Sequence, residues 1–144
     1  MNTMDEITIA APIDRVWDVF ADVERWPTWT DSVTSVELVA GDRIALGAKA
    51  RIKQPRFPRV TWTVTEIEPG RSWTWVVRSI GATTTASHEL RAIDPETTHV
   101  TQMIDQRGLL GVLVGLLSRR LTRRYLAMEG AGLKQRVEAG VAAA

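Results

Sequence analysis

A chain of 144 residues with a net charge of +1, its acids and bases interspersed, shows no electrostatic footprint for nucleic acid, and its length suits one domain with a substantial core. It has no cysteine, which excludes disulfides, thiolate nucleophiles and thiolate metal sites. No basic segment followed by a long apolar run opens the chain, so no signal peptide is expected. The longest apolar stretch, "GLLGVLVGLLS" at 108–118, falls short of the roughly 20 residues a bilayer span requires, and the cytoplasm is the expected compartment.

In chain order, "MDEITIAAP" sets Met4, Ile7 and Ile9 in a short strand. Pro12 suits a first helical turn, and Ile13, Val16, Trp17 and Phe20 follow at helical spacing. Asp22 is expected to cap a second short helix that Pro27 stops. From 32 to 106, Val, Thr, Ile and Trp alternate with polar residues, and the spacing predicts strands near 33–40, 46–54, 59–67, 72–79, 83–92 and 98–106. Their connections are too short for crossover helices, so neighbours pair antiparallel. After Gly108 the period returns to helical: Leu110, Leu113, Val114, Leu117, Leu121, Tyr125 and Met128 mark the expected buried stripe of one long helix. The result is an α+β domain, a curved antiparallel sheet of about seven strands wrapped around a long C-terminal helix.

This order, together with "APIDRVWDVFADVERWPTW", "KQPRFPRVTWTVTEIEPGRSWTW", "SHEL" and the terminal "GLLGVLVGLLSRRLTRRYL", resembles the SRPBCC superfamily, the helix-grip fold of START domains and birch-pollen-type allergens, and within it the polyketide cyclase/dehydrase family. The resemblance spans almost the whole chain and implies one helix-grip domain over residues 1–140; the alanine-rich end, 141–144, is expected to fray. It also implies a cavity between sheet and long helix for a small hydrophobic or amphipathic molecule. It does not fix a reaction, because function rests on the site rather than the fold.

A meander has two ends. The turns "AGDRIA", "EPGR" and "DPETT" fall at one, tight and polar. The other collects Trp26, Trp29, Pro55, Phe57, Pro58, Ile80, Leu109 and Leu110, either as a cap on the core or as the mouth of a ligand cavity. Strand alternation turns Ala48, Ala50 and Ile52, then Val60, Trp62, Val64 and Glu66, then Trp73, Trp75 and Val77, then Ala86, His88 and Leu90 inward. His88 can serve as a hydrogen bonder, or as a general base if its pKa lies near 7; a satisfied structural histidine is the blander reading. On the helical wheel Arg119 and Arg123 face away from the stripe and Arg120 lies at its edge. Arg124 falls among Leu113, Leu117 and Leu121, where it must snorkel, pair with an acid such as Glu66, or meet a ligand anion.

The expected ligand-binding set is therefore Trp26, Trp29, Phe57, Trp62, Trp75, His88, Leu113, Leu117 and Arg124, with His88 the one catalytic candidate. Two histidines, no cysteine and no nearby paired acids give no metal-ligand pattern; no nucleotide-binding loop or nucleophile elbow is present, and no cofactor is expected. Three functions compete. The favoured one is a binder or carrier of a small hydrophobic ligand, as monomer or homodimer. The second is a polyketide cyclase/dehydratase-like enzyme. The third, less favoured, is a peripheral membrane protein that uses 109–117 and the arginines at an anionic surface.

Overall fold

The computed structural model describes residues 1–143. Strand β1 (Asn2–Ile9) leads into helix α1 (Ile13–Ala21) and a 3-10 helix (Val23–Thr28). Six strands follow: β2 (Ser35–Ala40), β3 (Lys49–Lys53), β4 (Val60–Glu68), β5 (Ser72–Ser79), β6 (Ala82–Asp94) and β7 (Thr97–Arg107). Two helices, α2 (Leu109–Leu117) and α3 (Arg119–Ala143), end the chain. All seven strands form one antiparallel sheet in the order β1-β7-β6-β5-β4-β3-β2. The first strand returns to the last, from Asn2 opposite Asp105 to Ile9 opposite Thr98. This is the α+β helix-grip architecture expected from the sequence.

Register shifts interrupt β2, β4 and β6, and such bulges bend the strands that carry them. The one in β4 matters most. Val64 faces Trp75, but after the extra residue it is Ile67 that faces Trp73, while Glu66 pairs with Thr74 on the outer face. Glu66, expected inward, is exposed.

Local expectations at the two helical ends of the chain are also corrected. Asp22 makes no side-chain capping bond, and Pro27 sits inside the 3-10 helix rather than ending a helix before it. The long C-terminal helix is broken at Ser118, whose Oγ donates back to the Val114 carbonyl at 2.6 Å. Past the break, the stripe that meets the core is Tyr125, Leu126, Glu129, Gly130, Leu133 and Val137, a rotation away from the expected one. Helix α3 continues to Ala143, through residues expected to fray; Ala144 lies outside the described residues.

The packed core gathers where α1 and the second half of α3 cover the sheet. Val16, Phe20, Trp26, Trp73, Leu90, Val100, Leu133 and Val137 are all buried there. Helix and strand approach closely where α3 crosses β1 and the 3-10 helix: a Cβ at Gly130 would lie 2.9 Å from Asp5 Oδ2, and Gly132 has no room for one against the Trp29 carbonyl.

Candidate functional site

The other half of the sheet face is hollow. A cavity of about 270 Å3 lies between β3–β7, the loop after β3, and helices α2 and α3. The reason is visible in the residues. Strand β6 presents the small residues Ala82, Thr84 and Ala86, and α2 contributes only Gly111 and Val114 to the wall, so these elements leave the space unfilled. Trp26, Phe57, Trp62 and Trp75 supply aromatic walls, with Trp62 and Trp75 centroids 5.8 Å apart at 32°.

The nine expected ligand residues divide. Trp26, Phe57, Trp62, Trp75 and His88 line the cavity. Trp29, Leu113, Leu117 and Arg124 do not. Trp29 is half-buried against Trp26 and the glycine contact with α3. Leu113, Leu117 and Arg124 project into solvent, because α2 faces the sheet with its glycines and α3 restarts on a different phase after Ser118. The two loop tryptophans are therefore not a solvent-facing rim. Trp26 is 2% exposed, stacks on Phe20 and donates its Nε1–H to the Phe20 carbonyl at 2.8 Å. The rim is the loop 54–58, tied to α3 by the Tyr125 hydroxyl, which donates to the Pro55 carbonyl at 2.6 Å.

Four buried polar residues, His88, Gln102, Gln106 and Glu129, break the apolar lining. His88 lies flat on Trp73, centroids 4.1 Å apart, with Phe20, Trp26 and Trp75 edge-on around it. Its Nδ1 is 3.3 Å from the Trp73 carbonyl; a ring nitrogen facing a carbonyl must carry the proton, so Nε2 is left as an acceptor. Burial lowers its pKa to about 3, against the raising effect of the backbone bond. At neutral pH His88 is thus an uncharged hydrogen-bonding group and not a base poised near 7.

Gln102 stands opposite His88 across β6 and β7. Its Nε2 donates to the Leu126 carbonyl at 3.3 Å, and its Oε1 is buried without a partner among the described residues. Glu129 reaches the same cavity from α3. Burial, and then the charge of Asp5 on β1, raise its pKa to about 8, and no cation pairs with it among the described residues. Asp5 is itself raised by burial and by Glu6. Glu129 is therefore protonated at neutral pH and can donate. The cavity offers an acceptor and a donor with no net charge.

Sequence reasoning missed Gln102 and Glu129. The signal for Glu129 is present: it shares the helical face of Leu126, Leu133 and Val137, and an acid inside an apolar stripe marks a perturbed carboxyl. Reading the stripe from α2, before the break, hid that phase.

Residues 3–138 match the family model described as "Polyketide cyclase / dehydrase and lipid transport". Among curated proteins, one from Streptomyces halstedii, provisionally named a polyketide cyclase, is 36% identical over 77 residues, covering 52% of this chain and 58% of that protein. The chain spans about half the length of the curated relatives it matches. Among solved structures, the Zhui aromatase/cyclase of Streptomyces sp. R1128 superposes with a TM-score of 0.80 at 18% identity, covering 98% of this chain and 95% of that one. A START superfamily protein of Mycobacterium smegmatis gives 0.74 at 16%, with 96% and 97% covered. At these identities the two superpositions establish the fold alone.

Proposed function

Because this chain belongs to the polyketide cyclase/dehydrase and lipid transport family, we propose that it binds a neutral, mainly apolar small molecule of aromatic type in the cavity between sheet and α3, as a ligand-binding or carrier protein. The observation that carries the reading is an aromatic-walled cavity of about 270 Å3 in whose lining His88 and Glu129 are both uncharged at neutral pH. An apolar cavity of about 150 Å3 accommodates benzene, so this one has room for a larger ring system. An anion brought here would meet no cation in the lining and would be desolvated without compensation. A hydroxyl or carbonyl substituent would find the His88 Nε2 acceptor or the Glu129 donor.

Tryptophan fluorescence titrations with 1-naphthol and 1-naphthoate test this. The neutral naphthol should bind and the carboxylate should not. Ala86→Leu, placed opposite Trp75, should fill the space and abolish naphthol binding while the fold is kept. Equal affinity for both probes, or binding unaffected by Ala86→Leu, would overturn the reading.

A second reading is a cyclase/dehydratase acting on a polyketide-type substrate. Glu129 favours it: a carboxylic acid that holds its proton at neutral pH can deliver it to a leaving hydroxyl. Glu129→Gln keeps a hydrogen-bonding group but no acid. Under this reading the variant binds a linear poly-β-ketone analogue and fails to release water from it; under the carrier reading no water is released by either protein.

A further inference from the structure

Helix α2 is built inside out. An amphipathic helix ordinarily buries its large apolar residues and exposes small or polar ones. Here Gly111 and Gly115 are the buried positions, and a Cβ at Gly111 would touch Ala82 while Gly115 leaves none against the Gln106 side chain. Leu109, Leu110, Leu113, Leu116 and Leu117 stand in solvent, Leu109 at 91% and Leu117 at 81% exposure. Beside them Ile80 is 94% exposed, on the β5–β6 turn whose Gly81 carbonyl accepts from the Leu110 N–H at 3.0 Å. Between Asp105 and Glu129 the chain has five arginines and no acid. Four of them, Arg119, Arg120, Arg123 and Arg124, are exposed on the first turns of α3 and unpaired among the described residues.

We propose that α2 and Ile80 form a docking element that lies in the interface of an anionic lipid bilayer and seats the cavity against it. The helix has nine residues, about 14 Å, and lies flat rather than spans. No helix among the described residues is long and apolar enough to cross a membrane. The arginines follow α2 directly, and their stems allow the guanidinium groups to reach lipid phosphates while the leucines enter the acyl boundary. Gly111 and Val114 belong at once to α2 and to the cavity wall, so a molecule dissolved in the bilayer would meet the cavity across one helix. A second copy of the chain fits less well. A two-fold contact through α2 would bring both arginine clusters to one interface with no acid in the stretch to offset them.

The proposal rests on the hydrophobic-ligand reading of the cavity, and naphthol binding in vesicle-free solution reports on that reading separately. Flotation of the full chain is compared on phosphatidylcholine vesicles and on vesicles that also contain phosphatidylglycerol. Binding should require the anionic lipid, weaken as salt rises, and fall about fivefold for each of the four arginines changed to Gln. The triple change Leu109→Ser, Leu113→Ser, Leu117→Ser should abolish flotation with Tm and naphthol affinity unchanged. The chain has no cysteine, so Leu113→Cys gives one labelling site; a nitrobenzoxadiazole dye there should shift to the blue on phosphatidylglycerol vesicles. Equal binding to both vesicle types, or no binding together with a dimer that the triple change dissociates, would overturn the proposal. Loss of naphthol binding with flotation intact would instead strike the cavity reading.

Discussion

Trp73 and Trp75 stand two residues apart on the same face of β5, and their surroundings differ. Trp73 is enclosed by Trp17 and Phe20 of α1, at 5.6 and 4.9 Å, and by the stacked His88. Trp75 has Trp26, Trp62, Trp73 and His88 as ring neighbours, but unlike Trp73 it also lines the cavity. Strand alternation treats the two alike. What separates them is the layer above: α1 sends Trp17 and Phe20 onto Trp73, while no α1 side chain stacks on Trp75, which shares the cavity lining with α2 and α3 residues. A helix-grip interior is thus half core and half container, and the boundary runs between neighbouring tryptophans of one strand.

The largest difference between the two sites should appear when each ring is removed. Trp73→Ala should cost about 3–5 kcal/mol in a denaturant melt, the range for a large aromatic in a filled core. Trp75→Ala should cost clearly less, because part of its surface already faces empty space, and should abolish naphthol binding. Trp73→Phe should be milder than Trp73→Ala, since the Trp73 Nε1–H is buried without a partner and no hydrogen bond is lost. Equal costs for the two alanine variants would mean that the cavity closes in solution.

A smaller effect comes from the two uncharged polar groups at the boundary, and their signs are opposite. Glu129 binds its proton more tightly folded than unfolded, with a pKa of about 8 against 4.5. Its contribution to stability is full below pH 4.5 and is lost as pH rises toward 8. His88 resists protonation when folded, at about 3 against 6.5, so its contribution is full above 6.5 and is lost as pH falls toward 3. Between 4.5 and 6.5 the slopes oppose each other, which gives a plateau of maximum stability with a falling limb on each side. Glu129→Gln should flatten the alkaline limb and leave the acid one; His88→Gln should do the reverse. Melts from pH 3 to 9 decide it (about 1.4 kcal/mol per unit at full slope), and a limb that survives its own variant refutes that assignment.

The strand order, the antiparallel pairing and the inward set of β3, β5 and β6 were legible because a period of two and short polar turns leave few alternatives. Two irregularities were not. One extra residue in β4 moves Glu66 from the inner to the outer face, and no residue type near Thr65 announces it. The break at Ser118 changes the phase of the last helix, which displaces Leu113, Leu117 and Arg124 from the site and admits Glu129. An apolar run carries helical period but not direction. Only the positions of Gly111 and Gly115 tell that its small face, not its large one, meets the sheet.

The smallest predicted effect concerns the rim of the container. Loop 54–58 closes the cavity beside α3, with Phe57 edge-on to Tyr125 at 5.8 Å and Arg56 in a left-handed conformation, φ 67°. A non-glycine residue there costs energy that the loop's attachments must offset. Those attachments are the Lys53 ammonium, which donates to the Gln54 and Phe57 carbonyls, and the Tyr125 hydroxyl on the Pro55 carbonyl. Tyr125→Phe removes one hydrogen bond and keeps the ring, a loss of about 1 kcal/mol. The affinity for naphthol should barely change, because the Tyr125 ring stays in the wall and its hydroxyl is turned to the Pro55 carbonyl. Association and dissociation should both accelerate in stopped-flow tryptophan fluorescence, since a looser rim lowers the barrier without altering either end state. If the rates stay fixed while the stability falls, the ligand does not pass the loop, and α2 becomes the remaining wall through which it can enter.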